Sequence, residues 1–164
     1  MELNNNVKKT YIQLLIDSLA KKYKVLSELM QITNRQKEII ESESFDEDEF
    51  LQTIDLKEKQ INDLSELDRG FELVYEHIGE ELKENTNKYS AEITHLKDLV
   101  TKVTDLTMKL QALEKMNKSK LESLLANKRK EIGKARINNK TVTNYYKNMS
   151  GLKASQSYFY DKKN

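Results

Sequence analysis

Ser42-Glu43-Ser44-Phe45-Asp46-Glu47-Asp48-Glu49-Phe50 is the stretch on which the fold turns. Asp46 carries the short acceptor side chain that a helix N-cap needs, and Glu49, three residues on, is placed as its reciprocal partner. Phe45 before the cap and Phe50 after it are spaced for a hydrophobic staple. The acids that crowd the first turn suit the positive end of a helix dipole. One helix therefore ends just before this stretch and another begins inside it.

Working outward, the run before the break spans about 4–43. Ile12, Ile16, Leu19, Tyr23, Leu26 and Met30 recur at steps of three and four, and Ile40 resumes the stripe after a polar patch. Leu15, Leu29, Ile32 and Ile39 widen it into the broad apolar face of a bundle helix. The run after the break, 47–84, uses Leu51, Ile54, Ile61, Leu64, Leu67, Phe71, Val74, Ile78 and Leu82. Gly70 and Gly79 lie inside it and cost about 1 kcal/mol each against alanine. They read either as tolerated weak points or as places of close approach. Asn85–Lys88 forms a turn, with Thr86 or Asn87 as the next cap. A third run starts near Lys88 and keeps helical spacing from Tyr89 through Leu125 and Ile132. It extends to about Asn148, weakened by Gly133, Asn138 and Asn139.

The lengths set the architecture. At 1.5 Å per residue the first two runs are each about 60 Å and match as an antiparallel pair, while the third is about 90 Å. The expectation is an all-α, antiparallel bundle of three long helices. The third helix overhangs, residues 1–148 form one domain, and a flexible tail covers 149–164. The absence of Pro and the four Gly in 164 residues agree, because both residue types punctuate sheets and turns.

Composition excludes several functions. Without Cys there is no disulfide and no thiolate metal site. The start, MELNNNVKK, has no apolar stretch fit for a signal peptide, and no apolar window is long enough for membrane insertion. His77 and His95 are the only histidines. Glu92-Ile-Thr-His95 has the Glu-x-x-His spacing of di-iron bundles, but Val74 stands three residues before His77, so the motif has no second copy. No strained nucleophile turn, fixed acid/base pair or Gly-rich phosphate loop is present. The reading is a non-enzyme with no catalytic residue, no metal and no cofactor.

Charge is divided along the chain. Residues 38–85 hold 17 acids against 4 bases, whereas 128–164 hold ten bases against two acids. Five of the twelve aromatic residues lie in the last twenty positions. Leu121, Leu124, Leu125, Ile132, Val142, Tyr145 and Tyr146 make one apolar stripe on the overhang. Three uses of this end compete. It is a solvated helix end, a nucleic-acid tail, or a surface that docks a partner helix. The acidic middle and the lack of a nucleic-acid motif weigh against nucleic acid. A self-associating scaffold, such as a homodimer joined through the same stripe, is the alternative to a docking surface.

Leu-Lys-Glu-Lys-Gln-Ile-Asn-Asp-Leu-Ser-Glu-Leu-Asp-Arg-Gly-Phe-Glu-Leu-Val-Tyr, residues 56–75, resembles the FlgN-type flagellar export chaperones. So do Tyr89 with the following Ile93 and Leu96, and the ending Tyr145-Tyr-Lys-Asn-Met-Ser-Gly-Leu152 with Ser157-Tyr-Phe-Tyr-Asp-Lys-Lys-Asn164. The resemblance implies a cytoplasmic, ATP-independent carrier of the hook-associated proteins that form the hook–filament junction. Such a carrier covers the client's C-terminal amphipathic helix, prevents premature assembly and delivers the client to the flagellar type III export gate. On that reading the stripe from Leu121 to Tyr146 binds the client. Tyr145 and Tyr146, as exposed paired aromatics, are also candidates for the export gate.

Overall fold

The computed structural model describes residues 3–132, 144–147 and 149 of the chain. Three helices account for most of them: α1 (Asn5–Glu41), α2 (Glu47–Glu84) and α3 (Ser90–Ile132). Among the described residues there is no strand. The expected all-α bundle of three long helices is what forms.

The break after α1 is built as its residues dictate. The Asp46 carboxylate accepts the Glu49 N–H at 3.0 Å. The Phe45 and Phe50 rings lie 5.9 Å apart and both are buried, which completes the staple. The Glu49 carboxylate, however, pairs with Arg35 at 3.2 Å. That contact ties the cap to α1. At the start of α1, Asn4 accepts the Val7 N–H at 2.9 Å.

The second turn differs in detail from its expected form. Thr86 donates its hydroxyl back to the Lys83 carbonyl at 3.1 Å, and the Asn85 N–H bonds the Glu81 carbonyl at 3.0 Å. Both groups finish α2, and neither opens α3. Tyr89 is buried in the turn, with its hydroxyl donating to Glu81 at 2.9 Å.

α1 is the central helix and packs on both of the others. Lys8–Glu81, Lys22–Asp68 and Gln36–Thr53 contacts show α2 running antiparallel to it. Thr33–Glu114 and Glu41–Lys120 contacts show α3 running parallel to it. Lys120 is thus level with the end of α1, and the twelve residues from Glu41's level to Ile132 carry α3 about 18 Å farther. The overhang is present.

The core divides in two. One cluster holds Ile12, Leu15, Leu19, Phe71, Ile78 and Leu96. The other holds Leu26, Leu29, Phe50, Leu64, Leu110 and Leu121. The Lys22–Asp68 pair lies between them at 2.7 Å, with the lysine side chain 3% exposed. Buried ion pairs contribute little net stability, but an unpaired buried charge is costly, so this contact holds α1 and α2 in one register.

The two glycines of α2 resolve differently. A Cβ on Gly79 would stand 2.6 Å from the Tyr75 ring, so this glycine admits an aromatic one turn away. A Cβ on Gly70 would meet nothing within 4 Å. Gly70→Ala is therefore expected to stabilise the bundle by about 0.5–1 kcal/mol. Thermal denaturation should show a midpoint rise of about 1–4 °C, and an unchanged or lower midpoint would contradict it.

Candidate functional site

The bundle end near Glu41 contains a layer of polar side chains inside the apolar core. Lys57 of α2 is fully buried. Its Nζ donates to Thr33 Oγ1 at 2.7 Å and to Gln36 Oε1 at 3.0 Å, and it also bonds Glu114 Oε1. When protonated, the amino group has three N–H donors, and each finds an acceptor here. Gln36 Nε2 donates onward to Thr53 Oγ1 at 3.0 Å, and Asn117 Nδ2 to the Thr33 carbonyl at 3.1 Å. Burial pushes the Lys57 amino group down to about 6, because a charge is poorly solvated there.

A second tier comes from far along the chain. The Tyr145 hydroxyl lies 3.0 Å from Gln36 Oε1 and 3.3 Å from Glu114 Oε2. Burial holds it well above the usual tyrosine range, with the neighbouring Tyr146 adding to the shift, so it remains a donor. One helix continuous from Glu114 to Tyr145 would separate them by about 46 Å. Residues 144–147, themselves helical, therefore lie alongside α3 and not beyond its end. The expected single helix to Asn148 does not account for this placement. A buried carboxylate and amide give Tyr145 partners on the bundle that the end of an overhang would lack.

The stripe expected to bind a client is consequently only partly open. Leu121 and Leu125 are buried, and Leu124 is half-buried against the same cluster. Tyr145 and Tyr146 were expected to be exposed and are instead 3% and 6% exposed. Their rings meet edge to face at 4.6 Å, and Met149 is buried beside them in the cluster that contains Leu121 and Leu125. Ile132 is the last residue of α3, and its side chain lies outside the described set. Val142, Gly133, Asn138, Asn139 and the tail from 150 onward also lie outside it.

The returning residues do not close the site. Between them and α3 lies a pocket of about 520 Å³. Gln111, Lys115 and Lys118 line its α3 side, with Tyr146, Lys147 and Met149 opposite. Glu114, engaged by Lys57, also borders it. Such a volume suits ligand side chains in an apolar recess with a few polar groups.

A family model described as FlgN protein matches residues 4–151. The chain belongs to the FlgN family. Its members are flagellar export chaperones that bind flagellar substrate proteins. The FlgN match takes in Tyr145, Tyr146 and Met149 as well as the three helices. No curated protein and no solved structure matches the chain.

Other features of this FlgN chain are bland. Glu92 is half-buried and His95 exposed. Among the described residues no group of three or more His, Cys, Asp and Glu side chains is placed to hold a metal ion. No helix among them is long and apolar enough to cross a membrane. The residues that sequence reasoning missed are polar ones in the core, at this end of the bundle Thr33, Gln36, Lys57, Glu114 and Asn117. Their signal was positional. Each falls at a helical step between apolar core residues, as in Leu29, Thr33, Gln36, Ile40 and in Leu110, Glu114, Asn117, Leu121.

Proposed function

We propose that this chain is a cytoplasmic carrier for hook-associated proteins. It binds the client's C-terminal amphipathic helix, keeps it from assembling early and presents the loaded complex to the flagellar export gate. Family membership supports the carrier role. The observation that carries the client assignment is the pocket between α3 and the returning residues Tyr146, Lys147 and Met149, of which Tyr146 and Met149 belong to the same apolar cluster as Leu121 and Leu125. An amphipathic helix laid there would add its apolar face to that cluster.

The energetics suit a carrier that must release its load. Four large apolar side chains buried at about 1.5–3 kcal/mol each give roughly 6–12 kcal/mol gross. Association and ordering costs remove several kcal/mol of this. Tyr145 and Tyr146 are buried in the free chain and are assigned to the client in preference to the gate.

Co-purification tests the reading. Each hook-associated protein is expected to be retained when intact and lost when its C-terminal helix is removed. Equal retention of the truncated client would overturn the assignment.

A further inference from the structure

One residue in the wall of the pocket carries a buried polar group with no partner. Tyr146 lines the pocket, is 6% exposed, and its hydroxyl has no hydrogen-bond partner among the described residues. A buried hydroxyl left unpaired is costly, and an incoming acceptor removes that cost. The groups around it narrow the kind of acceptor. Lys115 and Lys118 are exposed and line the α3 wall, and Lys147 lines the other. Glu114 is occupied by Lys57 and faces Tyr145. Glu122 is the acid whose charge acts on the Tyr146 hydroxyl. Lys115 and Lys118 place two positive charges on the α3 wall of the pocket. Met149 and the Tyr146 ring supply apolar walls beside the charge.

We propose that this pocket receives an Asp or Glu side chain of the client helix, with an apolar side chain one helical turn away. Lys115 and Lys118 neutralise the carboxylate, Met149 covers the apolar neighbour, and the buried Tyr146 O–H, turned toward the pocket on binding, donates to the carboxylate. The proposal rests on the client reading above and specifies its chemistry: an amphipathic helix whose apolar face has an acidic edge. Charge-assisted bonds of this kind discriminate strongly against the uncharged isostere.

Calorimetry with two synthetic peptides of a hook-associated protein's C-terminal helix tests it. One has its native acids, and the other has every Asp and Glu replaced by Asn and Gln. The wild-type chain is expected to bind the acidic peptide about tenfold more tightly. Lys115→Glu/Lys118→Glu is expected to abolish that preference. Tyr146→Phe keeps the ring and is expected to weaken the acidic peptide about tenfold without lowering the melting midpoint, because the hydroxyl it removes has no partner among the described residues. Equal binding of the two peptides, or an undiminished preference in the charge-reversed variant, overturns the proposal. Saturable binding of acetate or inorganic phosphate alone would point to a free-anion site and overturns it too. If the intact client binds the wild type while the peptide preference is absent, only the pocket assignment falls. If no hook-associated protein binds the wild type, the client reading falls with it.

Discussion

Glu114→Ala is expected to lower the stability of the bundle by about 3 kcal/mol, the low end of what loss of one partner from a buried charged pair costs. For a chain of this size that is a drop of roughly 6–12 °C in melting midpoint, out of a total stability of only about 5–15 kcal/mol. The reason lies in what is left behind. Lys57 has no exposure to water. Without Glu114 it keeps only Thr33 and Gln36 as acceptors, and the Tyr145 hydroxyl loses one of its two partners. The low end applies because burial has already pushed Lys57 down to about 6, so near neutral pH it need not be buried as a lone cation. Replacing both partners with apolar residues, Lys57→Met/Glu114→Leu, should recover most of the loss, since well-packed apolar substitutes match buried pairs. A double variant no more stable than Glu114→Ala would show that the layer is held by something other than this pair.

The same shift fixes a pH dependence. The folded value for Lys57 is about 6, against an ordinary 10.5. Below the lower value both states hold the proton, and above the higher value neither does. In between, the unfolded chain holds a proton that the folded chain lacks. Raising the pH through that window therefore stabilises the fold, by at most about 1.4 kcal/mol per pH unit. Lys57→Met should flatten this slope when melting midpoints are followed from near neutral into the alkaline range. A slope equal to that of the wild type would exclude Lys57 as its source.

The helices were legible because their signals are local. Phe45, Asp46 and Phe50 lie within six positions of one another, and α2 runs from Glu47 to Glu84 as its spacing predicts. The stripe at Leu121 and Leu125 was legible for the same reason. The polar layer was not, because periodicity sorts residues by hydropathy. The polar patch after Met30 looked like a lapse in the apolar face, whereas Thr33 and Gln36 face inward to meet Lys57, Glu114 and Tyr145. Those partners sit on other elements, up to 109 positions away in the chain. Nothing in the local pattern of either segment reports such a pairing. The pocket was hidden by the same omission. It exists only because Tyr145 finds this layer and brings Tyr146 and Met149 alongside α3.

Tyr145→Ala/Tyr146→Ala is expected to weaken binding of an intact hook-associated protein about a hundredfold. Tyr146 forms one wall of the pocket, and Tyr145 pins that wall to the bundle through Gln36 and Glu114. Truncating an aromatic residue that matters to an interface costs more than about 1 kcal/mol. A combined loss of about 3 kcal/mol corresponds to two orders of magnitude in Kd. Truncating two buried rings also destabilises the fold by several kcal/mol, so calorimetry belongs at low temperature, with helicity checked by circular dichroism and Gly70→Ala carried as a compensating change. Leu124→Asp supplies an independent reading, because Leu124 is only half-buried and its replacement disturbs the fold less. It is expected to weaken the client about tenfold by placing a charge in the apolar contact. Unchanged affinity in both variants would remove this end of the bundle from the client interface. Tighter binding by the tyrosine variant would mean that residues 144–149 compete with the client for α3 and do not help to hold it. Weaker binding in both is the result that a composite site requires, in which the returning segment and the overhang each hold one side of the client helix.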